Sequence, residues 1–187
     1  MQEVIKRYIQ NIVLPSMLAG VLIGLGCAVN AKVGGLAGAV LFATGLVSII
    51  QFKLPLFTGI VANKPSVDML AILLGNVAGA LVAHYWFGID TMPAVAMPLG
   101  KVFLGACGTG VLMVAAYKSK SPLIAIMGVT LFIMSGFHHC IAEAGYVRMT
   151  MVQWIAALMG NIVGGQVFRV IDWRDGDKKE EKGEVTR

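Results

Sequence analysis

Six apolar runs, separated by short gaps, leave this chain almost no choice of solvent. A helix needs about 20 apolar residues to cross the hydrocarbon of a bilayer, and the runs fall at about 12–31, 33–52, 69–87, 102–117, 122–142 and 151–171. Backbone N–H and C=O groups find no water at that depth, so each run must satisfy its own hydrogen bonds as a helix. The short gaps make consecutive helices antiparallel neighbours. With 57% of residues hydrophobic and 13% charged, and a mean hydropathy of +0.79, the composition does not fit one soluble core with a solvated shell. The sequence therefore predicts an all-α polytopic membrane protein with six transmembrane helices in a single domain, residues 1–173. A soluble enzyme is excluded, and neither a nucleotide-binding glycine loop nor a catalytic triad is apparent.

The net charge of +5 does not point to nucleic acid. The basic residues stand at the ends of apolar runs and in the tail, without the aromatic interleaving of a strand-binding groove. They read as topology signals. With both termini cytoplasmic, Lys6, Arg7, Lys64, Lys118, Lys120, Arg169, Arg174 and the tail cations lie inside, against Lys32 and Arg148 outside, a positive-inside pattern. Val4, Ile5, Tyr8, Ile9 and Ile12 share one side of a helix, which predicts an amphipathic surface helix over 1–11. The segment 174–187 carries both signs of charge and reads as a disordered cytoplasmic tail. Cys27, Cys107 and Cys140 all lie in apolar segments, and an odd buried set gives no disulfide framework.

The third run contains Gly75-Asn76-Val77-Ala78-Gly79 and the sixth Gly160-Asn161-Ile162-Val163-Gly164. A pattern recurring three spans apart in an antiparallel chain implies two inverted three-helix repeats, about 12–88 and 100–172. The glycines let helices approach closely in lipid, whereas an amide in hydrocarbon must find a partner. The second run is interrupted by Lys53-Leu54-Pro55-Leu56-Phe57-Thr58-Gly59 and the fifth by Gly136-Phe137-His138-His139. Proline cannot donate a backbone hydrogen bond and disfavours helix in the residue before it. Paired breaks at corresponding positions point to a site at mid-membrane. His138 and His139 stand in an otherwise uncharged stretch, followed by Cys140 and Glu143, and ionisable groups at such depth usually mark a route for ions or protons.

Taken in order, Leu56-Phe57-Thr58, Gly75-Asn76-x-x-Gly79, Gly136-Phe137-His138-His139-Cys140-Ile141-Ala142 and Gly160-Asn161-x-x-Gly164-Gly165 resemble the formate/nitrite transporter family over about 19–168. The resemblance implies an aquaporin-like bundle with broken second and fifth helices and one pore per protomer. It also implies a homopentamer in a prokaryotic inner membrane, surrounded by lipid, that passes small monovalent anions such as formate or nitrite, without a cofactor or metal; passage would be as the neutral acid, or as anion and proton together. His139 would be the central histidine and Thr58 the threonine of the first broken helix. Phe42, Leu46 and Phe132 would form the outer constriction, and Leu56, Phe57 and Val111 the inner one. Aquaporins themselves are disfavoured, since no Asn-Pro-Ala triplet occurs.

Physically, a bare anion is costly between aromatic rings and its neutral conjugate acid much less so. Half-helix N-termini after Thr58 and near His139 would offer unpaired amides and positive dipole ends, and His139 could donate a hydrogen bond or a proton. Departures from the family pattern are His138, where an acidic residue is usual, Glu143 and Gly108 in place of asparagines, and Lys53 in place of a small residue. Lys53 is expected to snorkel to the inner boundary or to reach a carboxylate such as Glu143. Lys101 is expected to recruit anions or to anchor its helix. Two rival readings are a membrane redox subunit with His84, His138 and His139 as haem or metal ligands, and a non-transporting assembly protein. Adjacent histidines on a helix point about 100° apart, which weighs against the first.

Overall fold

The structure, a computed structural model, describes residues 1–63, 65–89 and 97–184, with side chains described as far as residue 170. Lys64 and Arg187, counted above among the inner cations, lie outside the described residues. Among these residues the elements are all helical: α1 (Gln2–Tyr8), a π-helical turn (Ile9–Val13), α2 (Leu14–Val33), α3 (Gly35–Gln51), α4 (Phe57–Ile60), α5 (Val67–Phe87), α6 (Leu99–Ser119), α7 (Pro122–Met134), α8 (Cys140–Tyr146) and α9 (Met151–Glu184). Four rods, Gln2–Val33, Val67–Phe87, Leu99–Ser119 and Met151–Val170, are long and apolar enough to cross a membrane. The two shorter apolar helices, Gly35–Gln51 and Pro122–Met134, are the second and fifth, each continued beyond a break by α4 or α8.

At both termini helix runs further than the spans drawn from sequence. α1 runs into α2 without leaving helical dihedrals at Tyr8 (φ −62°, ψ −46°) or Leu14 (φ −63°, ψ −45°). The π turn accommodates Pro15, whose ring would meet the carbonyl one regular turn back. At the other end α9 continues to Glu184, so the segment expected to be disordered is helical that far.

Glycines set the closest helix pairs. A side chain on Gly20 would strike the Asn76 backbone carbonyl, and one on Gly79 the Met17 carbonyl, so α2 and α5 touch backbone to backbone. The second half repeats this, with Gly110 against the Asn161 carbonyl and Gly164 against that of Cys107, joining α6 to α9. Without a hydrophobic drive between helices in lipid, this close packing is what holds them. Leucines such as Leu18, Leu36, Leu70, Leu104 and Leu131 remain exposed, as a lipid-facing surface requires.

The two breaks are built alike. At the end of α3 the Leu54 N–H donates to the Ile49 carbonyl at 2.9 Å, and at the end of α7 the Phe137 N–H donates to the Phe132 carbonyl at 2.9 Å. Each is the six-to-one bond of a Schellman ending, which needs a left-handed residue just before its donor. That residue is Gly136 (φ +65°) in the second half and Lys53 (φ +54°) in the first. Three residues further on, Leu56 (φ −112°, ψ 119°) and His139 (φ −114°, ψ 113°) take the same extended conformation and open α4 and α8.

Candidate functional site

Asn76 and Asn161 answer the question of what an amide does in hydrocarbon. Asn76 Oδ1 accepts from the Phe57 N–H at 2.8 Å, and its Nδ2 donates to the carbonyls of Ser16 (2.8 Å) and Pro55 (3.0 Å). Asn161 Oδ1 accepts from the Cys140 N–H at 2.8 Å, and its Nδ2 donates to the carbonyls of Ala106 (2.8 Å) and His138 (2.9 Å). Each amide thus stitches the first residue of a half-helix, the break before it and a neighbouring helix. Breaking a helix in lipid strands backbone groups that have nowhere else to turn; these two side chains take them up.

Held in this way, the two half-helices abut. Thr58 Oγ1 lies 2.7 Å from His139 Nε2, with Thr58 fully buried and His139 1% exposed. The other ring nitrogen, Nδ1, accepts from the Ala142 N–H at 3.1 Å and caps α8. A nitrogen that accepts carries no proton, so in the neutral ring the proton sits on Nε2, and Nε2–H donates to Thr58. The amides expected to greet an anion are partly committed: those of Phe57, Cys140 and Ala142 already bond to Asn76, Asn161 and His139. With α4 only four residues long, a helix-dipole contribution there is also small.

Phe132 stacks on the His139 ring with centroids 5.8 Å apart, and Phe42 meets Phe132 edge-on at 5.9 Å. Leu46 and Leu56 are buried in the same apolar cluster as these rings. Phe57 packs in a second cluster with Val61, Ile72 and Val114, and Val111 is half-buried on α6. Phe132 and, through it, Phe42 are thus linked to the histidine ring, while Leu46 shares one extended cluster with Leu56 and Phe57 lies in another.

The charged residues differ more from expectation. Lys53 is exposed, and its backbone, rather than its ammonium, shapes the break. Glu143 does not meet it: Arg148 Nε donates to Glu143 Oε2 at 2.7 Å and Nη2 to Oε1 at 2.8 Å, and His138 Nδ1 lies 3.0 Å from Oε1. Arg148, read from sequence as a loop charge, was the missed member. It returns over α8 because Val147 is left-handed (φ +51°), a turn that a valine does not announce. Lys101 is exposed in the first turn of α6. The His84 Nδ1 lies 2.9 Å from the Gly145 carbonyl and ties α5 to α8. The three histidines thus have separate partners, and among the described residues no group of three or more His, Cys, Asp or Glu is placed to hold a metal.

Fold and site together define a multi-pass helical membrane bundle of two inverted halves, whose broken helices meet at a buried Thr58–His139 contact. Among solved structures it is similar to a pentameric formate channel with formate bound, at 18% identity and a TM-score of 0.74 over 90% of this chain and 97% of that one. It is also similar to an FNT family ion channel, at 20% identity and a TM-score of 0.71 over 91% and 93% of the two chains. The chain thus has the fold of these channels. No family model matches the sequence, and no curated protein matches it.

Proposed function

We propose that this chain is a channel subunit for small monovalent weak-acid anions, of the size of formate or nitrite, acting in a homopentamer rather than as an enzyme. The finer assignment, to a prokaryotic inner membrane with both termini cytoplasmic, rests on the basic residues and on the resemblance. The observation that carries the reading is the Thr58 Oγ1···His139 Nε2 contact of 2.7 Å, where two interrupted helices bring a polar pair into a buried, aromatic-walled centre. The fold shared with a formate-binding channel supports it.

A cavity of about 150 Å³ reaches this centre, with His139, Phe132, Glu143, Tyr146 and Arg148 in its wall. An anion entering there meets rings that exclude water, and its charged form is far costlier to pass than its protonated one. With Nδ1 held by the Ala142 N–H, the neutral His139 ring offers a hydrogen bond through Nε2. Giving up that proton would leave an imidazolate. His139 in this reading positions the substrate as a hydrogen-bond donor, and the proton travels with the anion as its conjugate acid, formed in the external medium before the rings are passed. Thr58, which accepts the bond from His139, turns its own hydroxyl proton toward the passing oxygen.

The test is stopped-flow uptake of formate, nitrite, acetate, lactate and hydrosulfide into proteoliposomes at several external pH values. Uptake is expected for the smallest anions, rising as pH falls because the conjugate acid becomes more abundant. Vesicles no more permeable to any of them than protein-free ones would overturn the proposal.

A further inference from the structure

Glu143 presents a difficulty for any anion route, and its surroundings suggest what the cluster is for. Its carboxylate lies in the wall of the cavity that leads to His139, with a side chain 2% exposed. An uncompensated carboxylate there would repel the substrate and would itself be strongly destabilised by burial. Arg148 cancels it with a two-pronged bond, and its own side chain keeps 28% exposure. The guanidinium is fixed on its other side as well, 4.7 Å above the Tyr146 ring, and Tyr146 is held by Asn30 Nδ2, which donates to its hydroxyl at 2.7 Å. Nε and Nη2 serve Glu143, but a guanidinium has five N–H groups. The rest have no partner among the described residues, and Arg148 borders the same cavity.

We propose that Arg148 is an anion-capture site at the mouth of this cavity, for small monovalent oxyanions, and that Glu143 is its built-in counter-ion, which holds the affinity down so that the captured anion moves on. The planar fork of an arginine suits a two-oxygen anion better than a point charge does. A 150 Å³ cavity has the volume of roughly five liquid-water molecules, enough for such an anion with part of its hydration. The ion pair thus neutralises the wall, positions the fork and competes with the substrate at once. The proposal rests on the channel reading above.

The test is the half-saturation concentration for formate uptake into proteoliposomes by the wild type, Arg148→Gln, Glu143→Gln and the double variant, each checked for assembly by size exclusion. Removing the competitor in Glu143→Gln is expected to lower the half-saturation value about fivefold, and Arg148→Gln to raise it by at least as much, the effect of one partly screened charge a few ångströms away. The double variant is expected between the two. Should Arg148→Gln fail to assemble because it strands the carboxylate, Glu143→Gln and the double variant carry the same comparison. A wild type that conducts formate while Glu143→Gln leaves the value unchanged or raises it overturns the capture site alone. A wild type that conducts no anion overturns the channel reading, and the capture site with it.

Discussion

At the scale of single residues, the molecule depends on side chains that take over backbone hydrogen bonds inside the membrane. Asn161 serves one N–H and two carbonyls, and each buried group left unpaired costs about 1–3 kcal/mol. Asn161→Leu should therefore lose several kcal/mol and lower the thermal unfolding midpoint in detergent far more than a change at an exposed leucine such as Leu104; equal midpoints would deny the asparagine this role. Lys53 offers the opposite experiment. Its left-handed backbone costs an L-residue about 1 kcal/mol that glycine avoids. Lys53→Gly should accordingly raise the unfolding midpoint, whereas a lower one would mean that the ammonium contributes something the backbone does not. Sequence reasoning recognised that Asn76 and Asn161 needed partners but had no means of naming them, because those partners exist only once the breaks at 55 and 138 have brought stranded groups alongside. The ion pair of Glu143 with Arg148 was hidden for a similar reason, behind the unexpected turn at Val147.

Among elements, the glycine contacts decide how near the helices lie. Gly164 has the Cys107 carbonyl where a Cβ would go, and Gly79 has that of Met17. Valine at either position must push two backbones apart, so Gly79→Val and Gly164→Val should each lose most folded protein. Gly100 has nothing within 4 Å of its missing Cβ, and Gly100→Ala should express and elute as the wild type does. Comparable yields from all three would show that the close approach is not what holds these helices together. Here the sequence was informative, since the repeated Gly-Asn-x-x-Gly pattern and the paired breaks already implied two inverted halves. It was less so at the N-terminus, where an amphipathic pattern over 1–11 describes equally well a helix on the membrane and one entering it. The backbone shows only that residues 2–33 run on as helix, through the uninterrupted helical dihedrals from Tyr8 to Leu14.

For the whole molecule, the two halves supply the same scaffold and different chemistry. Leu56 and His139 open the half-helices with nearly identical dihedrals, yet one is apolar and the other a histidine, and the partner of His139 is Thr58, two positions beyond Leu56. The repeat accounts for the shape of the scaffold, and the departure from it accounts for the site. Exposed apolar residues such as Leu41, Phe52, Leu70 and Met127 must face lipid or neighbouring copies. In the proposed assembly, detergent-corrected sedimentation should give five copies, and a stable monomer would separate the fold from the assembly. The most direct measurement is formate flux through assembled wild-type, Thr58→Val and His139→Ala proteins in proteoliposomes as a function of pH. If the Thr58–His139 contact is the centre of the pore, His139→Ala removes most uptake at every pH and Thr58→Val weakens it, with both proteins assembling normally. Unchanged flux and an unchanged pH profile in His139→Ala would contradict that claim.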